Sequence, residues 1–338
     1  MRSSNHCGHV RFTYLRRREF ITLLGGAAVA WPLSSRAQKT TELPVVGVLS
    51  PFIDAESAFL ADLREGLREY GYIEGRNVRI EYRSAEGKVE LLAGLAADLV
   101  RRNVDIIVTS SAPAIQIARQ ATNKIPIVMA RVGDAVDQGF VASLARPGGN
   151  ITGLSWFAPE LSAKSLEVLK DAFPVMSHVA ILREAAGGAA SATAAGTAAR
   201  RLGVKADLFQ AREPDEIETA FSAMTAAGVD ALAVLEGLMI SNNAKLIAGL
   251  AGRARLPAIF FDPAFVDAGG LMSYGPNFTE MHRRAAYFAD RILKGAKPGD
   301  LSVEQPTKFE LVINLRAAKA LGLKIPPALL FRADRVVE

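Results

Sequence analysis

From residue 44 onward the chain alternates short apolar runs with amphipathic stretches of 10–17 residues, and it does so twice. Such alternation leaves few architectures open. A β-run followed by a helix and another β-run predicts parallel strands, with helices covering both faces of the sheet. VVGVL at 45–49 is continuously apolar and bounded by Pro44 and Ser50-Pro51, as a strand buried on both faces must be. Helical spacing follows at Phe59, Leu63, Leu67 and Tyr70, and Gly71 stops it. Further strands are predicted at 77–82, 105–109, 125–130 and 151–154, with helices at 91–102 and 113–121 between them. The pattern then restarts. Strands are expected at 179–183, 204–209, 231–235, 258–261 and 271–274, and helices at 189–202, 217–226 and 244–254. A helix at 277–293 opens with Asn277 and Glu280 in capping-box spacing, and a strand at 309–313 precedes a helix at 315–321.

Right-handed crossovers turn this into two doubly wound parallel-sheet α/β domains with a ligand cleft between them. The expected lobes are 44–152 with about 276–305, and 153–275 with about 306–338. The segment GAKPGDLSVEQP at 295–306 reads as a crossing linker. Two lobes joined by several crossings suit closure around a small molecule.

The first 37 residues have a different character. Arg16-Arg17-Arg18-Glu19-Phe20-Ile21 precedes TLLGGAAVAW, and Ser35-Arg36-Ala37 forms a small-x-small site. The apolar run is too short to span a bilayer. This is the pattern of an export signal, and RRREFI resembles the twin-arginine type, with cleavage expected after Ala37 and periplasmic delivery. Residues 1–14 are unlike such a signal and suggest an upstream start codon. The formal charge of +5 comes from this segment. It holds six Arg against Glu19, and the remainder balances 34 basic with 34 acidic residues. No electrostatic case for nucleic acid remains. Cys7 is the only cysteine, so no disulfide, thiol nucleophile or cysteine metal site is expected in the body.

Catalytic motifs are missing from the sequence. There is no GxGxxG, no P-loop, no GxSxG elbow and no HExxH. No cofactor or metal is therefore expected. Of the two histidines beyond residue 37, His178 is expected at a strand entry, away from the cleft, and His282 on a solvated helix face. Acids at strand ends leave one catalytic alternative, a secreted enzyme using a carboxylate pair such as Asp134 with Glu236.

Ligands of doubly wound sheets sit beyond the carboxyl ends of the strands, so contacts are read from there. Ser50, Pro51 and Phe52 follow the first strand. Ser110 and Ser111 follow DIIVT and open a helix, where hydroxyls and unpaired N–H groups suit a carboxylate. Arg131, Gly133 and Asp134 follow IPIVMA, and Asp134 suits an ammonium group. Thr152, Gly153 and Ser155 lie near a crossing, and Trp156 and Phe157 offer an aromatic wall. The second unit contributes Arg183, Glu184, Glu236, Asp262 and Tyr274.

The stretches RRREFITLLGGAAVAWPL, VGVLSP, IPIVMARVGD, LARPGGNITGLS, FVDAGGLMSYGP and PTKFELVINLRAAKALGL carry a family likeness. Together they resemble the ABC-transporter substrate-binding proteins of the tryptophan/tyrosine transport type. The resemblance implies a type I periplasmic-binding-protein fold with three crossings. It also implies capture of a small solute, such as an amino acid or aromatic compound, for a membrane permease and its ATPase. A monomer that binds without turnover is expected, and a ligand sensor docking on a membrane receptor is the alternative. Ser110, Ser111, Gly133, Asp134, Thr152, Gly153 and Tyr274 carry over as cleft positions. Two stretches depart from the pattern. EAAGGAASA follows VAILR in place of an Asn-Pro type turn, and Glu236-Gly237 stands where an Asp-Pro-like pair is common.

Overall fold

A computed structural model describes residues 43–52 and 58–338. The export-signal reading, Cys7 and the cleavage site after Ala37 lie outside the described residues. Among the described residues no helix is long and apolar enough to cross a membrane.

The first half builds a five-stranded sheet. β1 (Val45–Ser50), α1 (Ala58–Glu69), β2 (Arg79–Ser84), α2 (Leu92–Arg101), β3 (Ile106–Thr109), α3 (Ala112–Ala121), β4 (Ile127–Met129) and β5 (Ile151–Gly153) follow in chain order. The spatial order is β2-β1-β3-β4-β5, and every pairing is parallel. Side chains alternate between the two faces along each strand. Val46, Val48, Ile106 and Val108 join a cluster with Leu60, Leu63 and Leu67 of α1. Leu49, Ile107, Ile127 and Met129 join a second cluster with Leu92, Leu99 and Ile115 of α2 and α3. Coverage of both faces is why these strands read as unbroken apolar runs.

The second half continues with α4 (Ala158–Ala172), β6 (His178–Glu184), α5 (Ala189–Arg201), β7 (Lys205–Ala211), α6 (Asp215–Ala226), β8 (Ala231–Val234), α7 (Leu238–Asn242) and α8 (Ala244–Arg253). Then come β9 (Ala258–Phe260), α9 (Ala264–Asp267), β10 (Met272–Pro276), α10 (Phe278–Leu293), β11 (Phe309–Asn314), α11 (Leu315–Ala320), α12 (Pro327–Arg332) and β12 (Arg335–Val337). This sheet has seven strands in the order β12-β11-β10-β9-β8-β6-β7. Only β10 with β11 is antiparallel.

The chain passes between the sheets three times. After β5 it enters α4, which packs on β9 and β10. After β10 it returns in α10, which packs on α1 and on β3–β5. Asn277 caps this helix by accepting the amide of Glu280 at 2.9 Å, as the sequence spacing predicts. Before the last passage the chain runs beside β5. Glu304 N–H donates to Gly153 O at 2.9 Å, and Arg284 holds the Glu304 carboxylate with two bonds of 2.8 Å. The expected linker is thus tied to the first sheet before it leaves for β11. Trp156, Phe261 and Phe278 meet at these passages, with ring centroids 5.6–6.4 Å apart. They make the apolar clusters of the two sheets continuous.

His282 is a correction to the sequence reading. The helix face it occupies is not solvated but packed on α1. The residue is buried, edge-on to Phe59 at 5.0 Å, and its Nδ1 lies 3.2 Å from Asp62 Oδ2. Burial lowers its pKa, so the imidazole is held neutral. His178 stands at the start of β6, with Nε2 2.8 Å from Asp207 Oδ2.

Candidate functional site

A cavity of about 560 Å³ opens at the carboxyl ends of both sheets. Its size is in the range of small-molecule sites. The first sheet supplies one wall. Phe52 follows β1; Ser110 and Ser111 follow β3; Arg131, Gly133 and Asp134 follow β4; Trp156 follows β5. The second sheet supplies the other wall with Glu184 at the end of β6, the loop 186–188, Ser191 in the first turn of α5, and Glu236-Gly237 after β8.

The two serines do different work. Ser111 caps α3, accepting the amide of Ala114 at 3.3 Å. Ser110 Oγ is buried and has no hydrogen-bond partner. An unpaired buried hydroxyl costs free energy, and it lies beside the N-terminus of α3, where Pro113 has no N–H and the Ala114 amide is already taken by Ser111. That combination is suited to receive an anionic oxygen.

Arg131 is held in place. Its guanidinium lies 3.3 Å from Asp262 and sits over the Phe278 ring at 3.7 Å from the centroid. Arg131 ends the first wall and Asp262 follows β9, so the pair ties one lobe to the other.

Glu184 accepts the amide of Met239 at 2.9 Å and thereby caps α7. Gly237 makes room for it, because a Cβ there would press on the Glu184 carboxylate. Glu236 accepts the Ser191 hydroxyl through Oε1, and its Oε2 is buried without a partner. Burial raises the pKa of both glutamates. A raised acid is most costly to the fold above its folded pKa, where it is charged, and costs nothing extra below the ordinary value. Glu236→Gln is therefore expected to raise the stability of the ligand-free protein at pH 8 by about 1 kcal/mol. The gain should shrink toward pH 4.5. Thermal unfolding at pH 8 and pH 5 checks this, and an equal gain at both values would contradict it.

Of the residues read from the sequence, the cavity gathers Phe52, Ser110, Ser111, Arg131, Gly133, Asp134, Trp156, Glu184 and Glu236. Ser50, Thr152, Gly153, Asp262 and Tyr274 are not among its lining residues. Ser50 is buried and its Oγ accepts the Phe52 amide, turning the chain out of β1. Thr152 donates to Leu301 O at 2.6 Å, stitching β5 to the returning chain. Gly153 packs on the Met129 backbone. Asp262 pairs with Arg131 and caps α9 through Ala264 N. Tyr274 packs against Phe309 and lines a separate void too small for a solute. The contacts of these five residues are within the fold, and Tyr274 lies inside β10 rather than at its end. Gln116, Asp137, Gln138, Phe140 and Ser191 line the cavity and were missed. Ser191 had a readable signal, since it opens the helix that follows a cleft-facing strand end. Among the described residues no group of His, Cys, Asp and Glu could hold a metal ion.

Two α/β lobes, with a cavity of mixed apolar and acidic lining where their strand ends meet, define a two-lobed small-molecule-binding protein. A family model described as ABC transporter substrate binding protein matches residues 46–337, and the chain belongs to that family. The tyrosine-binding protein of Clostridioides difficile (strain R20291) is 26% identical over 263 residues, covering 77% of this chain and 75% of that one. The solved ABC domain in complex with L-Trp from Streptococcus pneumonia is 26% identical with a TM-score of 0.81, covering 88% of this chain and all of that one. A conserved domain protein from Vibrio cholerae is 28% identical with a TM-score of 0.81, over 87% of this chain and all of that one. The fold is that of the type I periplasmic binding proteins.

Proposed function

We propose that this substrate-binding protein captures an amino-acid-like solute in the cavity between its lobes and presents it, chemically unchanged, to a membrane permease driven by a separate ATPase. Capture outside the cytoplasm follows from the export pattern of residues 16–37. The observation that carries the reading is the buried, unpartnered Ser110 hydroxyl just before α3, in a cavity whose other wall holds Glu184 and Glu236. A solute carboxylate satisfies Ser110 at the positive end of α3, and its ammonium group turns toward the acidic wall. Phe52, Phe140 and Trp156 supply apolar surface for the remainder. The relatives that bind tyrosine and L-Trp support a solute of this kind.

Isothermal titration of the purified chain with a panel of amino acids tests the reading. A carboxylated solute is expected to bind at one site, and Ser110→Ala to weaken it about tenfold. Binding that ignores Ser110→Ala would remove the carboxylate from that position. Saturable binding of no carboxylated compound would remove the reading.

A further inference from the structure

The charges around the cavity do not balance. Four carboxylates line it, Asp134, Asp137, Glu184 and Glu236, against one guanidinium, Arg131. Arg131 is already matched by Asp262 at 3.3 Å, and its face is covered by Phe278. Neither Glu184 nor Glu236 has a cationic partner among the described residues. Arg183, next to Glu184 in sequence, directs Nη1 to the carbonyl oxygens of Glu184, Ala185 and Gly187 instead. The two glutamates end β6 and follow β8, which are hydrogen-bonded neighbours, so they belong to one patch of one wall. One oxygen of Glu236 is buried and unpartnered there. A buried carboxyl oxygen without a partner costs the fold free energy, and such costs concentrate where a ligand supplies the partner. A zwitterion with a neutral side chain brings no net charge and leaves most of this surplus in place.

Resting on the receptor reading above, we propose that the solute carries a net positive charge, as one carboxylate and two cationic centres, and sets one of those cations against Glu236 with Glu184 beside it. The class is the basic amino acids, with an ammonium or guanidinium side chain. The half-buried Phe52 ring in the cavity lining is compatible with this chemistry, because cations and guanidinium planes stack on rings. Glu236 is then the specificity-determining residue.

The test is titration of the full chain at pH 7.5 with L-arginine, L-lysine, L-citrulline, L-tyrosine and L-tryptophan. Citrulline has the shape of arginine without its side-chain charge. One of the two basic compounds is expected to bind about 10- to 100-fold more tightly than citrulline, tyrosine or tryptophan. Glu236→Gln is expected to bring its affinity down to the level of citrulline, while citrulline binding and thermal unfolding show an intact fold. Glu184→Gln should reduce the same preference. Citrulline, tyrosine or tryptophan binding as tightly as the basic compounds would overturn the inference and leave the receptor reading standing. So would a basic compound whose affinity is unchanged in both glutamine variants. Failure of both basic compounds to bind overturns the inference too. The receptor reading is judged separately, by the Ser110-dependent binding of any carboxylated solute.

Discussion

Gly153→Ala is expected to destabilise the protein by about 4 kcal/mol, without any direct effect on the cavity. Gly153 has φ +131°, a backbone conformation that side-chain-bearing residues rarely adopt, and a Cβ there would collide with the carbonyl oxygen of Met129 on the neighbouring strand. Strain and overpacking add at one site. The same residue anchors the returning chain through its carbonyl, which accepts the Glu304 amide at 2.9 Å. Urea denaturation with unchanged m-value and a lowered midpoint is the expected result. A variant with an unchanged midpoint and lost solute binding would instead return Gly153 to the ligand wall.

Arg131→Met is expected to cost about 3 kcal/mol, because it strands Asp262 in a mostly buried position and strips the cation from the Phe278 face. Arg131→Lys should recover little, since a lysine ammonium cannot reproduce the planar stacking. The double variant Arg131→Met/Asp262→Asn is expected to recover more than half of the loss, because no uncompensated charge remains. A double-mutant cycle reads this coupling directly. Additive losses would mean that the pair does not tie the two lobes together.

The architecture was legible because each strand is covered on both faces. Val46, Val48, Ile106 and Val108 face one helical layer, while Leu49 and Ile107 face the other, so the sequence shows unbroken apolar runs between helical periods. Helix α4 was not read, although Leu161, Leu166 and Leu169 are buried along it. It lies directly after a lobe passage, where a strand ending in Gly153 and the aromatic pair Trp156-Phe157 draw attention to the cleft. The short α7, α9 and α12 and the strand β12 are too brief to show a period. His282 looked solvated because arginines follow it in sequence, yet the packing of α10 on α1 buries it beside Phe59 and Asp62.

Candidate site residues divide by a similar rule. Strand ends can be read, and nine of the eighteen positions named from them line the cavity. Direction within a strand end cannot be read. Thr152 and Ser110 both carry hydroxyls in or just after buried strands of the first sheet, but Thr152 finds a carbonyl of a segment 149 residues away, whereas Ser110 finds no partner. Asp262 and Asp134 both end strands as well. Only the three-dimensional approach of Arg131 commits Asp262 to an ion pair.

The most direct test of the account is equilibrium binding followed by recovery of the solute, in the natural chain and in the variant Ser110→Ala/Glu236→Gln. The account predicts one molecule bound per chain, recovered chemically unchanged, with binding weakened about 100-fold or more in the double variant while the fold persists. Undiminished binding in the double variant, or a compound recovered in altered form, would contradict it.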